Sequence, residues 1–385
     1  KIIGQIMVTE TLSIKLKNKS LKYLSEHGSV IYISKKNIMY NSNIILKKCI
    51  NKIISPVIKS DAYGVSAKSL INILIDCGYT SFFLGRLSEG IEIRKKYNNI
   101  ELFILNCGHP FNIRHLKKHK LIPVINNLED LKLWSQFSNR QDYCVVHFDT
   151  GMNRLGINLQ DLKNLSDKKY LKNINIKFIM SHLTCAEDIN NIMNKEQLNK
   201  LKSCAELLKI ITKKNIKTSI CNSSGIWLGK KYLLDIVRPG AAFFGINPIL
   251  NKKNPLKEAV SLYAQITQIK DVAKNSTIGY GRTLTVKKDT RIAIISIGYS
   301  NGLSRLLSNT GDVYIKEKKL KILGRVSMDL TVIDISIFKD EEIKNGDIVE
   351  IFGPNRSLEK FAKINKTIPY EILCTMAKSN PKIIT

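Results

Sequence analysis

IISPVIKSDAYG (53–64), SAKSLINILIDCG (66–78) and SFFLG (81–85) follow one another near the start of the chain. They are an apolar β-rich run ending in Lys59 and a turn, a stretch with apolar residues at three- and four-residue steps, and a second apolar run. The outer two have the length and content of strands, and the middle one has the spacing of a helix face. The alternation continues through ELFILN (101–106), LIPVIN (121–126), YCVVHFD (143–149), IKFIMSHL (176–183), KTSICNSS (217–224) and LLDIVRPG (233–240), with helical stretches SEGIEIRKKY (88–97) and NKEQLNKLKSCAELLKII (194–211) among them. Eight nearly continuously apolar strands joined by helices predict an α/β fold of the closed parallel (β/α)8 TIM-type barrel, whose strands are buried on both faces. A doubly wound open sheet has the same periodicity.

Beyond about residue 255 the strand-like runs SLYAQITQI, RIAIISIGY, DVYIKEKKLKILGRVSM, TVIDIS and DIVEIFG follow one another without long helices, punctuated by NGL, NTGD and KNGD. The reading is a barrel over 41–255 and a mostly β C-terminal domain over 256–385. An N-terminal segment, 1–40, is expected to add VIYIS (30–34) to that domain as a strand. A chain of 385 residues with 44% hydrophobic and 24% charged residues supports two packed domains and excludes disorder for its bulk. It contains no apolar run of the ~18–20 residues that cross a bilayer and no charged-then-apolar leader, so a cytoplasmic protein with no membrane partner is expected.

The net charge of +29 raises the question of nucleic acid. The basic residues are spread in pairs such as Lys117-Lys118 and Lys252-Lys253 amid abundant Ile and Asn, so no nucleic-acid partner is expected. The eight cysteines include no CxxC pair and several lie in apolar runs; they read as reduced core residues, with no metal site and no disulfide framework.

In a (β/α)8 barrel the site lies at the carboxyl ends of the strands. Strand one ends there in Lys59, strand five in Asp149 followed by GMNRLG with Arg154, strand six in His182, strand seven in Asn222-Ser223-Ser224, and strand eight in Arg238-Pro239-Gly240. A lysine ending an apolar run is expected to be partly desolvated, which suits it to Schiff-base chemistry. Barrels often hold a phosphate after strands seven and eight, where Ser223 and the Gly240–Ala241 backbone fall. A lysine on one side and a phosphate cradle across the mouth is what pyridoxal phosphate requires, with Arg238 placed to face the ring nitrogen.

With these residues in view, the chain resembles the alanine racemases, pyridoxal-phosphate enzymes with a barrel and a β domain. The resemblance runs from about residue 30 to about 380. It is carried by VIKSDAYG (57–64), FDTGMNRLG (148–156), IVRPG (236–240), GYGRT (279–283), IGYSNG (297–302), GRVSMD (324–329) and PYEIL (369–373), in family order. It implies interconversion of L- and D-alanine, supplying D-alanine for peptidoglycan, with Lys59 carrying the cofactor and acting as acid and base on one face of the substrate Cα. Tyr280 would act on the other face from the partner subunit of a homodimer. Arg154 and the Met328 backbone would bind the substrate carboxylate. Tyr63, Asn222, Ser223, Gly240, Ala241 and Tyr370 would hold the cofactor, chiefly its phosphate. Arg238 would donate to the ring nitrogen and His182 would link Arg238 towards Tyr280. Tyr299, Arg325 and Asp329 would line the entry corridor.

Removing a proton from one face and returning one to the other needs two groups on opposite sides. An arginine at the ring nitrogen keeps its own proton. The ring is then a weaker electron sink, and protonation of the cofactor, which leads to transamination, is disfavoured. Three residues depart from the family pattern. His147 stands where many members have a carbamylated lysine that orients the substrate arginine, so His147 itself, a chloride or another group must do so here. Ser327 replaces a common cysteine, and Asn301 a common aspartate. A broad-specificity amino-acid racemase of the same fold and a non-catalytic cofactor-holding barrel are the alternatives.

Overall fold

The computed structural model describes residues 18–385 apart from 109–111, 140, 165–168 and 173, so the start of the N-terminal segment lies outside the described residues. The chain forms two units. One is Asn37–Lys257; the other joins the residues up to Lys36 to Glu258–Thr385.

In the first unit, strands Ser81–Arg86, Glu101–Asn106, Ile122–Ile125, Tyr143–His147, Asn175–Met180 and Lys217–Ser219 pair in chain order, all parallel. The short strands Ile53–Ile54 and Ile236–Val237 pair with each other, also in parallel. Backbone bonds extend that pairing and close the ring. Ile53 N donates to Asp235 O (3.0 Å), Ser55 N to Val237 O (2.9 Å) and Val57 N to Pro239 O (2.7 Å). On the other side of strand one, Phe83 N donates to Pro56 O and Ile58 N to Phe83 O, both at 2.8 Å. Strand eight reaches strand seven through Asp235 N to Thr218 O (3.1 Å) and Arg238 N to Cys221 O (2.9 Å). Every strand therefore has a neighbour on both sides, which an open sheet cannot offer. Phe83, Phe103, Val124, Val145, Phe178, Met180 and Ile236 fill the centre. Phe103 stacks on Phe83 (4.7 Å between centroids) and meets Phe178 edge-on (5.3 Å).

Helix Ala67–Asp76 starts where the Ser66 side chain accepts from Ser69 N, and it buries Leu70, Ile71, Ile73 and Leu74. The long helix Ile192–Thr212 buries Leu198, Leu201, Cys204, Leu208 and Ile211 at helical spacing. Asn194 and Gln197 fall on that same stripe and are buried with it. No helix of the described residues is long and apolar enough to cross a membrane.

The second unit is built on the 13-residue strand Val260–Val272. Its first half pairs with Ser29–Ile33 and Ile348–Phe352, and its second half with Thr290–Ile295, all antiparallel. An irregularity between Ile266 and Gln268 marks the change of partner, as a bulge does when a strand bends between sheets. Thr290–Ile295, Thr331–Asp334, Lys318–Leu323, Asp312–Ile315, Ile348–Phe352 and Val260–Val272 form a closed circuit, and Lys382–Ile384 pairs outside it with Ser29–Ile33. The stretch DVYIKEKKLKILGRVSM, expected as one strand-like run, is instead the hairpin of Asp312–Ile315 and Lys318–Leu323. Lys316 (φ 46°) and Glu317 (φ 68°) both take the left-handed conformation that a two-residue hairpin turn demands. Neither is the Asn or Gly that would announce such a turn.

Phe103→Ala opens a cavity beside the two rings that Phe103 packs against, Phe83 stacked and Phe178 edge-on. It is expected to lower the unfolding free energy by roughly 3–5 kcal/mol, measured by urea titration; a loss below 1 kcal/mol would show that this cluster does not support the barrel.

Candidate active site

Strand one delivers Lys59 to the barrel mouth, and the chain then does something unusual. Ser60, Asp61, Ala62 and Tyr63 all have φ between 53° and 58°, a left-handed turn before Gly64. L-residues resist this conformation by roughly 1–2 kcal/mol each. Local bonds offset the cost: Ala62 N donates to Ile58 O (2.9 Å), Gly64 N to Ser60 O (2.8 Å) and Ala67 N to the Asp61 carboxylate (2.7 Å). Glu89, on the helix after strand two, accepts from Ser60 N (3.2 Å) and Gly85 N (2.9 Å) and so clamps two strand ends together. Backbone strain of this kind concentrates at functional sites. Lys59 itself is exposed.

The turn places Tyr63, buried and edge-on to Phe244 (5.6 Å), over the start of the loop after strand eight. A Cβ on Gly240 would lie 2.2 Å from the Tyr63 hydroxyl and 3.0 Å from Val57 O, so any larger residue must displace the phenol. Ser223, at the end of strand seven, accepts through Oγ from Gly240 N (3.0 Å) and Ala242 N (3.2 Å). A phenol, a hydroxyl and backbone amides thus converge where Ala241–Phe244 begins. Asn222 is occupied with the turn: its Oδ1 accepts from Gly225 N (2.9 Å) and its Nδ2 donates to Leu183 O (3.4 Å).

Arg238 is 3% exposed. It donates to Ser219 Oγ and to the Ser181 carbonyl, and its guanidinium lies over the Phe83 ring. Among the described residues no carboxylate pairs with it. Burial pushes its pKa down to about 10, still far enough above neutrality to leave it a cation. Burial, then the nearby Arg238 and Arg154 charges, pushes His147 down to about 4. The same causes in the same order, with Lys59 and His147 added, hold His182 well below its ordinary value. Both imidazoles are therefore neutral at pH 7. Arg238 makes no hydrogen bond to the His182 ring.

His147 Nδ1 lies 2.8 Å from Asn126 Oδ1. Asn126 Nδ2 donates to Leu105 O (2.9 Å) and Val124 O (3.1 Å), so its oxygen is the acceptor and His147 Nδ1 carries the hydrogen. The other ring nitrogen, Nε2, is left with a lone pair in the field of the two arginines. Arg154 is exposed on the loop that follows strand five. That loop is pinned at both ends. Asp149 Oδ1 accepts from Gly151 N (2.8 Å), Met152 N (2.9 Å) and Asn153 N (3.2 Å). Gly156 (φ 119°) packs so closely that a Cβ would lie 2.5 Å from Asp149 N, and its N–H donates to the Asn126 carbonyl (3.2 Å).

In the β unit, Tyr280, Tyr299, Arg325, Met328 and Asp329 lie on three loops that pack on one another. Gly281 leaves room for the Arg325 guanidinium, and a Cβ on Gly298 would lie 2.2 Å from Met328 O. Tyr299 N donates to Ser327 O (3.0 Å), and Ser300 Oγ to Asp329 (2.7 Å). Asn301 Nδ2 donates to Ser29 Oγ (3.4 Å), whose own hydrogen goes to Asn380; an aspartate could not donate there. Tyr280 is 71% and Met328 55% exposed. Tyr370 lies on helix Pro369–Ser379, whose Thr375 and Met376 pack against Gly302.

Sequence reasoning missed Ser181, Ser219 and Asn126, polar residues inside or at the end of apolar runs, and Gln197, whose only signal was its place on an apolar helical stripe.

Family models described as the N-terminal and C-terminal domains of alanine racemase match residues 33–248 and 259–384. The alanine racemases of Rickettsia bellii and Rickettsia canadensis are 39% and 38% identical over 87% and 85% of this chain, covering 82% and 91% of their own lengths. The crystal structure of alanine racemase from Bartonella henselae with covalently bound pyridoxal phosphate is similar at a TM-score of 0.87 and 30% identity, over 93% of this chain and 99% of that one. The biosynthetic alanine racemase of Pseudomonas aeruginosa, at a TM-score of 0.83 and 24% identity over 93% and 99% of the two chains, shares the fold. Matched in both domains along nearly its whole described length, the chain belongs to the alanine racemase family.

Proposed function

We propose that this protein is a pyridoxal-phosphate enzyme that interconverts L- and D-alanine in the cytoplasm and supplies the D-enantiomer for peptidoglycan. The observation that carries the reading is the barrel mouth. The Tyr63 hydroxyl, the Ser223 hydroxyl and the backbone at Gly240–Ala242 come together as the cradle proposed for the phosphate, with Ser223 holding the Gly240 and Ala242 amides, and Lys59 lies at the end of the adjoining strand. Arg238, at the end of strand eight, is a buried cation whose remaining N–H groups would donate to a neutral ring nitrogen. When bound, the cofactor supplies an aldehyde for the amino group and a ring that acidifies the Cα hydrogen. Lys59 Nζ takes or returns that proton on one face. The phenol of Tyr280, exposed on its loop, serves the opposite face from a second copy in a homodimer, with the Met328 amide beside it. The likeness to the family assigns Tyr370 to the phosphate and Tyr299, Arg325 and Asp329 to the entry, and we propose the same roles here.

Arg154 binds the substrate carboxylate. With no lysine to carbamylate, the lone pair of His147 Nε2 is the acceptor that orients it, on an imidazole whose tautomer Asn126 fixes. This assignment requires His147 to stay neutral.

The first test is the assay itself: circular dichroism of L-alanine incubated with the loaded protein falls to zero as the racemate forms. Lys59→Ala cuts the rate by about 10³ or more, and a smaller effect assigns the proton transfers elsewhere.

Arg238→Glu is expected to raise the ratio of abortive transamination to racemisation several-fold, followed as pyruvate formed per D-alanine. An unchanged ratio contradicts the role given to the arginine.

His147 titrates near 4 in the folded chain and near 6.5 unfolded, so between these values the unfolded chain binds the extra proton and stability falls as the pH falls. His147→Gln should shrink the loss between pH 6.5 and 4.5 by on the order of 2 kcal/mol, while His182 keeps its share. Equal losses in urea titrations of both proteins would show that His147 is not held neutral.

A further inference from the structure

Gln197 lies wholly buried on the long helix Ile192–Thr212, outside the barrel, with both ends of its amide engaged. Oε1 accepts from Thr184 N (2.9 Å), and Nε2 donates to His182 O (2.8 Å) and Thr150 Oγ1 (3.3 Å). The Thr184 donor settles which end is oxygen. Thr150 Oγ1 in turn lies 2.6 Å from Ser181 Oγ, and both hydroxyls are buried. The carbonyl of Ser181 accepts from Arg238, whose other terminal nitrogen is held by Ser219. Thr150 also sits between Asp149, which gathers the amides of residues 151–153, and the loop bearing Arg154. One helix side chain thereby ties the end of strand five to the end of strand six, and the chain of bonds continues to Arg238.

We infer that Gln197 is a positioning residue. It fixes the Arg154 loop and the Arg238 guanidinium relative to each other, so that the groups facing the two ends of the bound substrate and cofactor share one anchor. The inference rests on the reading of Arg154 and Arg238 given above. A purely structural side chain on this helix would satisfy nearby backbone groups without affecting either arginine, as the neighbouring Asn194 does. It donates to Cys185 O (3.3 Å) and Asp188 O (2.9 Å), away from the Arg154 loop.

The test compares Gln197→Met with Asn194→Met in the full chain. In the cofactor-free protein, amide hydrogen exchange at Gly151, Met152 and Asn153 speeds up about tenfold in the first variant and stays at the wild-type rate in the second. In the loaded enzyme, Gln197→Met raises KM for alanine about tenfold while kcat changes less than about threefold, the pattern of lost ground-state positioning. A lower melting temperature with exchange at 151–153 and KM both unchanged makes the residue structural and overturns the inference. If the methionine variant does not fold, Gln197→Glu decides. Its carboxyl keeps the acceptor for Thr184 N and regains a donor only when protonated, so its KM should fall towards the wild-type value as the pH is lowered; a KM profile parallel to that of the wild type overturns the inference. A wild-type chain that does not racemise alanine defeats the functional reading and leaves the exchange experiment to decide the brace.

Discussion

The hydrogen-bonded seam between strands one and eight is the constraint on which the site depends. Residues 53–57 and 235–239 are far apart in the chain, and three backbone bonds set them in parallel register. That register puts the turn after Lys59 beside the turn after Arg238, so the Tyr63 hydroxyl meets Gly240 with no room for a Cβ. A slip of one residue would turn every side chain of the strand to the other face. The strained left-handed turn at 60–63 makes sense in this light. The bonds from Glu89, Asp61 and Ile58 hold the chain in a costly conformation that brings a phenol against Gly240, at the end of strand eight.

A second constraint follows from closing the barrel around a cation. Among the described residues Arg238 is buried without a carboxylate partner, and its charge is distributed over a carbonyl, a hydroxyl and an aromatic face. Burying a cation this way is expensive, and its surroundings respond. The two nearby imidazoles are held neutral, and Ser181 and Ser219 are fixed in place by bonds of their own. The mouth therefore presents fixed positive charge to an anionic cofactor and substrate, with hydrogen-bond acceptors already committed to the arginine. Preorganised polarity of this kind needs no rearrangement when charge develops during proton transfer.

Much of this is legible in the sequence. The eight barrel strands were readable because strands buried on both faces are continuously apolar, and Lys59, Asp149 and Arg238 stood out as charged residues ending such runs. The left-handed turn was not legible, since Ser60, Asp61, Ala62 and Tyr63 offer no glycine until residue 64. The hairpin at Lys316-Glu317 was hidden for the same reason. Exposure of Lys59 could not be read either, because the sequence tells which residues precede a side chain and not whether they surround it. Ser181, Ser219, Asn126 and Gln197 went unnoticed because their importance lies in what they touch across the fold, which no periodicity encodes.

The most direct measurement of the central claim, that strand one presents a nucleophilic amine to a phosphate cradle on strands seven and eight, is chemical. The protein loaded with pyridoxal phosphate is reduced with borohydride, digested and mapped by mass spectrometry. The account predicts one modified site, Lys59, with labelling suppressed when Gly240→Val fills the cradle. A label on any other lysine, or undiminished labelling in the valine variant, contradicts it.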